Sequence, residues 1–73
     1  MNWDDIEGQW KVMKGKVKEQ WGDLTDDEID TIGGKKDQLI GRIQKRYGMA
    51  REDAARQVEE FERRVTADGS AHA

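Results

Sequence analysis

The stretch Trp3-Asp4-Asp5-Ile6-Glu7-Gly8-Gln9-Trp10-Lys11-Val12-Met13-Lys14-Gly15-Lys16-Val17-Lys18-Glu19-Gln20-Trp21-Gly22 decides the fold. Trp3, Ile6, Trp10, Met13, Val17 and Trp21 recur in it three or four residues apart. At about 100° per residue, that spacing gathers them into one narrow stripe, with mostly charged or polar residues and glycines on the rest of the surface. The stripe predicts a single amphipathic helix from Trp3 to Trp21. Gly22, which has no Cβ, is expected to stop it in the left-handed conformation.

Beyond Gly22 the punctuation stays legible. Thr25-Asp26-Asp27-Glu28 reads as a capping box, in which the Thr25 hydroxyl and the Glu28 carboxylate each satisfy an amide of the other's end of the turn. A short second helix therefore starts there, carries Ile29 and Ile32, and ends at Gly33-Gly34. Leu39, Ile40, Ile43 and Tyr47 mark a third helix closed by Gly48, and Ala54, Val58, Phe61 and Val65 mark a fourth. Glu52-Arg56, Glu59-Arg63 and Glu60-Arg64 are spaced for acid-first pairs along the fourth helix. Ala50 offers no capping side chain at its start. The expected fold is all-α, a small bundle of about four short helices with glycine-terminated connections. Residues 1–65 would form the single domain. From Thr66 to Ala73 the chain has small or polar residues without periodicity, so 66–73 is expected to be a disordered tail.

Glycines also set a longer rhythm. Gly8, Gly15 and Gly22 are seven apart, and so are Gly34, Gly41 and Gly48. Superposing the two frames pairs Met13 with Leu39, Lys16 with Arg42, Val17 with Ile43 and Trp21 with Tyr47, the pattern of an internal duplication. Gly8, Gly15 and Gly41 lie off the apolar stripes, where each costs about 1 kcal/mol relative to alanine. Three readings stand: glycine simply tolerated on an exposed face, helices kept deliberately weak, or the close approach of a second backbone, as in self-association.

Seventy-three residues hold one domain, and with 34% hydrophobic against 40% charged residues its core must be small. Cysteine is absent, which permits a reducing compartment, and the N-terminus lacks the basic start and apolar run of a secretory signal; a cytoplasmic protein is expected. No apolar run approaches the roughly 20 residues of a transmembrane helix.

The net charge of −3 is unevenly placed. Asp23 to Gly34 carries five acids and no base, whereas Lys35 to Gly48 sets Lys35, Lys36, Arg42, Lys45 and Arg46 against Asp37 alone. Lys35, Arg42, Lys45 and Arg46 on the third helix, with Lys11, Lys14 and Lys18 on the first, are the candidate anion-contacting residues. Each stripe borders an apolar face, where long basic side chains ordinarily lie along the core edge with their heads in water. Nucleic acid is therefore not the favoured partner, and the overall negative charge weighs against it too.

The residues of familiar catalytic sites are sparse. The single histidine, His72, and the single serine, Ser70, both lie in the tail, so no nucleophile and base pair is evident. No phosphate-cradling glycine motif occurs. The acids of Asp23, Asp26, Asp27, Glu28 and Asp30 lack the alternation of a calcium loop and crowd a helix N-terminus, where they oppose the macrodipole. No catalytic residue, cofactor or metal is expected. Trp3, Trp10, Trp21 and Tyr47 are read as core packing rather than base-stacking platforms, because the indoles share the stripe with Ile6, Met13 and Val17.

Trp10-Lys11, Lys14-Gly15-Lys16-Val17-Lys18-Glu19-Gln20-Trp21-Gly22, Leu24-Thr25-Asp26-Asp27, Gly34-Lys35-Lys36-Asp37-Gln38-Leu39 and Arg46-Tyr47-Gly48 together resemble the CsbD-like family, over roughly Asn2 to Arg63. Met13 and Phe61 depart from it, standing where the resemblance implies larger aromatics. It implies a small helical protein of the bacterial general stress response, without a known catalytic activity. Three functions follow as expectations: a non-enzymatic, hydrophilin-like protector of macromolecules, a module that binds nucleic acid or an anionic surface through the basic flanks, or a homo-oligomeric structural protein.

Overall fold

The computed structural model describes the backbone of residues 3–72 and the side chains of residues 3–65. Among the described residues five helices follow one another: α1 (Trp3–Gly8), α2 (Trp10–Gln20), α3 (Asp26–Ile32), α4 (Lys36–Tyr47) and α5 (Arg51–His72). The chain is all-α, as its periodicity predicts. The expected disordered tail, 66–73, falls outside the residues whose side chains are described.

The helix predicted over Trp3–Trp21 is in fact two. Gln9 leaves the helical region at φ −111° and ψ 29°, and its N–H is shared between the Asp5 and Ile6 carbonyls at 3.1 and 3.2 Å. Val12 and Met13 then both donate to the Gln9 carbonyl, at 2.9 Å each, so α2 restarts at once. Gly8 beside the break lowers the cost of bending. Hydrophobic periodicity survives so short an interruption, which is why the stripe reads as continuous.

The stop at Gly22 also differs from expectation. Gly33, Gly34 and Gly48 have positive φ, and Gly22 does not. Trp21 closes α2 instead, with its N–H donating to the Val17 carbonyl at 2.8 Å, and Leu24 N–H then donates to the Trp21 carbonyl at 3.1 Å. This turn carries Leu24 into the core, fully buried, from a segment with no periodicity to announce it.

The capping box forms as read. Glu28 N–H donates to Thr25 Oγ1 at 3.1 Å, and Thr25 N–H to Glu28 Oε1 at 3.0 Å. Gly33 at φ 58° and Gly48 at φ 64° end α3 and α4 in the left-handed region.

Each helix packs against the next in the chain, and the buried side chains of all five form one apolar cluster. Trp10, Trp21 and Phe61 are in it, and Trp3 packs against its edge. Tyr47 is a correction: it is 37% exposed, because it lies at the very end of α4, and its hydroxyl accepts a hydrogen bond from Asp23 N–H at 3.2 Å. Met13 and Phe61, the departures from the family pattern, are both buried, and Phe61 lies tilted at 53° on Trp21 with centroids 5.1 Å apart. On α5, Arg56 pairs with Asp53 and Arg64 donates to Gln20 Oε1, in place of the i,i+4 partners suggested by spacing.

Candidate functional site

The charge asymmetry of the sequence becomes a structure around α3. Its acidic first turn faces the helix dipole in the favourable sense, and it lies between α2 and α4. On the α2 side Lys14 is ion-paired with Asp30, and Lys18 Nζ donates to the Leu24 carbonyl at 2.6 Å. Lys14, Gly15, Lys18, Asp26, Ile29 and Asp30 line a shallow concavity there, with two bases facing two acids.

On the α4 side the balance differs. Arg46 Nη2 lies 2.5 Å from Glu28 Oε1, and Arg42 Nη1 lies 3.6 Å from Glu28 Oε2. With Lys45, these groups line a second open concavity of about 310 Å³. Glu28 is thus both half of a capping box and the shared partner of two arginines. The Thr25 backbone N–H holds the Glu28 carboxyl below its ordinary range; partial desolvation opposes this, and the Arg46 guanidinium adds to it.

The candidate basic residues are therefore not one surface. Arg42, Lys45 and Arg46 come together, whereas Lys35 sits at the start of α4 and reaches Glu7 of α1 at 3.4 Å. Lys14 and Lys18 share the other concavity, and Lys11 is exposed on α2. The acids of α3 separate the two flanks.

Each indole has a further role beyond packing. Trp3 Nε1 donates to the Gly34 carbonyl at 2.7 Å, Trp10 Nε1 to the Ile29 carbonyl at 3.1 Å, and Trp21 Nε1 to Gln57 Oε1 at 2.9 Å. The α1–α2 stripe is thereby tied to the α3–α4 turn, to α3 and to α5 by three separate bonds. Lys36 Nζ lies 5.9 Å from the centroid of the Trp3 ring and 3.4 Å from Glu62 of α5. Close approach within the chain does not explain Gly8, Gly15 and Gly41, because a Cβ built on any of them meets nothing within 4 Å.

Sequence reasoning missed Glu28 as an ionic hub, since capping already accounted for it. The signal was the acid-only connector followed by a basic helix, whose complementarity becomes pairing once α3 and α4 touch. Among the described residues no group of three or more histidine, cysteine, aspartate or glutamate side chains is arranged to hold a metal ion. No described helix is long and apolar enough to cross a membrane.

Comparison with known proteins agrees with this architecture's sequence signature. The CsbD-like family model matches residues 4–56. The UPF0337 protein YjbJ of Escherichia coli K12 is 55% identical over 64 residues, 88% of this chain and 93% of that protein. A UPF0337 protein of Pectobacterium atrosepticum is 56% identical over 62 residues, 85% of this chain and 90% of that one. Another, from Nitrosomonas europaea, is 57% identical over 61 residues, 84% of this chain; the match spans only 65% of that relative's length. The indole, glycine and capping-box positions of α1 to α4 all lie on or beside the matched span, and on that match the chain belongs to the CsbD-like family.

Proposed function

We propose that this chain is a non-catalytic, cytoplasmic protein of the bacterial stress response, which protects other macromolecules in the manner of a hydrophilin. Its working unit is the single domain 1–65. One observation carries the reading: the buried side chains of the described residues are all apolar, and their charged groups all lie at the surface. A mean hydropathy of −1.07 on so small a core describes a particle that presents mostly hydrated charge to its neighbours. Such a surface stays soluble as water is withdrawn and separates aggregation-prone proteins without binding them tightly. Membership of the CsbD-like family supports the physiological setting.

The test is to dry or heat a labile enzyme with this protein and with an inert carrier at equal mass. More activity should survive with this protein than with the carrier. Protection no better than the carrier's would end the proposal.

A further inference from the structure

The concavity between α3 and α4 departs from the one-to-one ion pairs that several other bases form. Lys14 has Asp30, Lys35 has Glu7, Lys36 has Glu62, and Arg51 has Asp37. Arg42, Lys45 and Arg46 instead surround Glu28 alone, which leaves two positive charges in excess among the lining groups. Lys45 is exposed and has no ion pair among the described residues. Arg42 and Arg46 keep 33% and 44% of their side chains exposed, and each uses one guanidinium nitrogen toward Glu28. Their remaining donors are a fork suited to oxyanions. The Glu28 carboxylate already seated between them shows that the arginines converge on such a group.

We propose that this concavity binds a small phosphate monoester, or free phosphate, through Arg42, Lys45 and Arg46, with Glu28 as a built-in competitor. A dianionic phosphate matches the local excess of two charges, and a volume of about 310 Å³ accommodates a small ligand. An extended polyanion is a poorer match. It would run onto α3, where Asp26, Asp27 and Asp30 repel it, and the lysines of α2 lie beyond those acids.

The experiment uses the full chain and follows backbone and arginine side-chain NMR signals during titration with inorganic phosphate. Sodium chloride of equal ionic strength serves as the control, and a nucleoside monophosphate and a short single-stranded DNA serve as parallel arms. Saturable shifts centred on Arg42, Lys45 and Arg46, with a dissociation constant on the order of millimolar, are expected, weakening as salt is raised. Phosphate and the monophosphate arm distinguish a free anion from an ester.

Glu28→Gln removes the competing charge while a glutamine can still serve the capping box, so it should tighten binding roughly fivefold. Lys45→Gln alters only an exposed side chain and should loosen it several-fold, which keeps the test decisive if the Glu28 variant folds poorly. Shifts that are matched by chloride, or that ignore Lys45→Gln, would overturn the proposal. So would tighter binding of DNA with a footprint reaching Lys11, Lys14 and Lys18, which would assign the bases to nucleic acid.

Discussion

The frame Gly8, Gly15, Gly22 and the frame Gly34, Gly41, Gly48 share one spacing, yet the chain uses them differently. All three glycines of the first lie outside the left-handed region, whereas Gly34 and Gly48 have φ of 86° and 64°. The aromatics that precede the final glycines diverge as well, with Trp21 2% exposed and Tyr47 37%. Only the central pair, Gly15 and Gly41, keeps equivalent surroundings, each inside a helix with open space beside it. A repeated pattern therefore repeats the helix face. The role of a glycine at a helix end depends on where the chain must go next: after Gly22 it folds inward at Leu24, and after Gly48 it turns α5 onto α4.

The comparison breaks most visibly at the aromatics. Trp21→Ala removes a buried indole from Phe61 and Gln57 and should cost about 3–5 kcal/mol, enough to unfold a domain this small. Tyr47→Ala, its counterpart in the repeat, should cost at most about 1 kcal/mol in urea denaturation. Equal losses would mean that the duplication extends to packing.

Next come the first glycines of each frame. A Cβ on Gly34 would lie 2.9 Å from Glu7 Cγ and 3.0 Å from Glu7 Cα, in a residue already at positive φ. Gly34→Ala should cost about 2–4 kcal/mol, through backbone strain and the displacement of α1. Gly8→Ala, with nothing within 4 Å, should change stability little or raise it. Hydrogen exchange in α1 would report whether the Gly34 variant frees that helix.

At the ends of the frames the contrast is smaller. Gly48→Ala places a side chain in the left-handed region and should cost about 1 kcal/mol, while Gly22→Ala should be close to neutral. The central pair sharpens the comparison from the other side. Gly15→Ala and Gly41→Ala should each raise stability by about 0.5–1 kcal/mol, by equal amounts if the two helices are equivalent there. Thermal melts of the single variants and of the double variant test both statements.

The smallest effect concerns pH, and it belongs to α3 alone. Glu28 has its pKa lowered in the fold from an ordinary 4.5. The stability it contributes is therefore complete above that ordinary value and is lost as the pH falls through the lower folded value. Urea midpoints recorded from neutral to acidic pH should fall less steeply in Glu28→Gln than in the parent. Parallel curves would show that the carboxylate's charge is not linked to folding.

Much of this architecture is legible in the sequence. Periods of three and four marked the buried faces of every helix, because a side chain repeats its direction after about 3.6 residues whatever it packs against. Thr25 and Glu28 announce their own capping box, and Gly33 and Gly48 the ends of α3 and α4, because those features involve residues a few positions apart; Gly22, the glycine read as a left-handed stop, does not have positive φ. The interruption at Gln9 and the burial of Leu24 were hidden for the opposite reason. The break at Gln9 leaves the apolar period intact, and the burial of Leu24 rests on contacts that no local spacing reveals.

The candidate site divides along the same line. Four bases on α4, among them Arg42, Lys45 and Arg46, and an acidic run before it can be counted from the chain, but a charge count says nothing of which carboxylate meets which guanidinium. Composition and periodicity alone determined that the protein is helical, which faces are apolar and that its charge is segregated. Tertiary packing decided that Trp21 is enclosed while Tyr47 is not, that Gly34 must make room for Glu7, and that Glu28 faces Arg42 and Arg46. Those outcomes depend on distances between segments far apart in the chain, which are set only when several helices bury their stripes against one another at once.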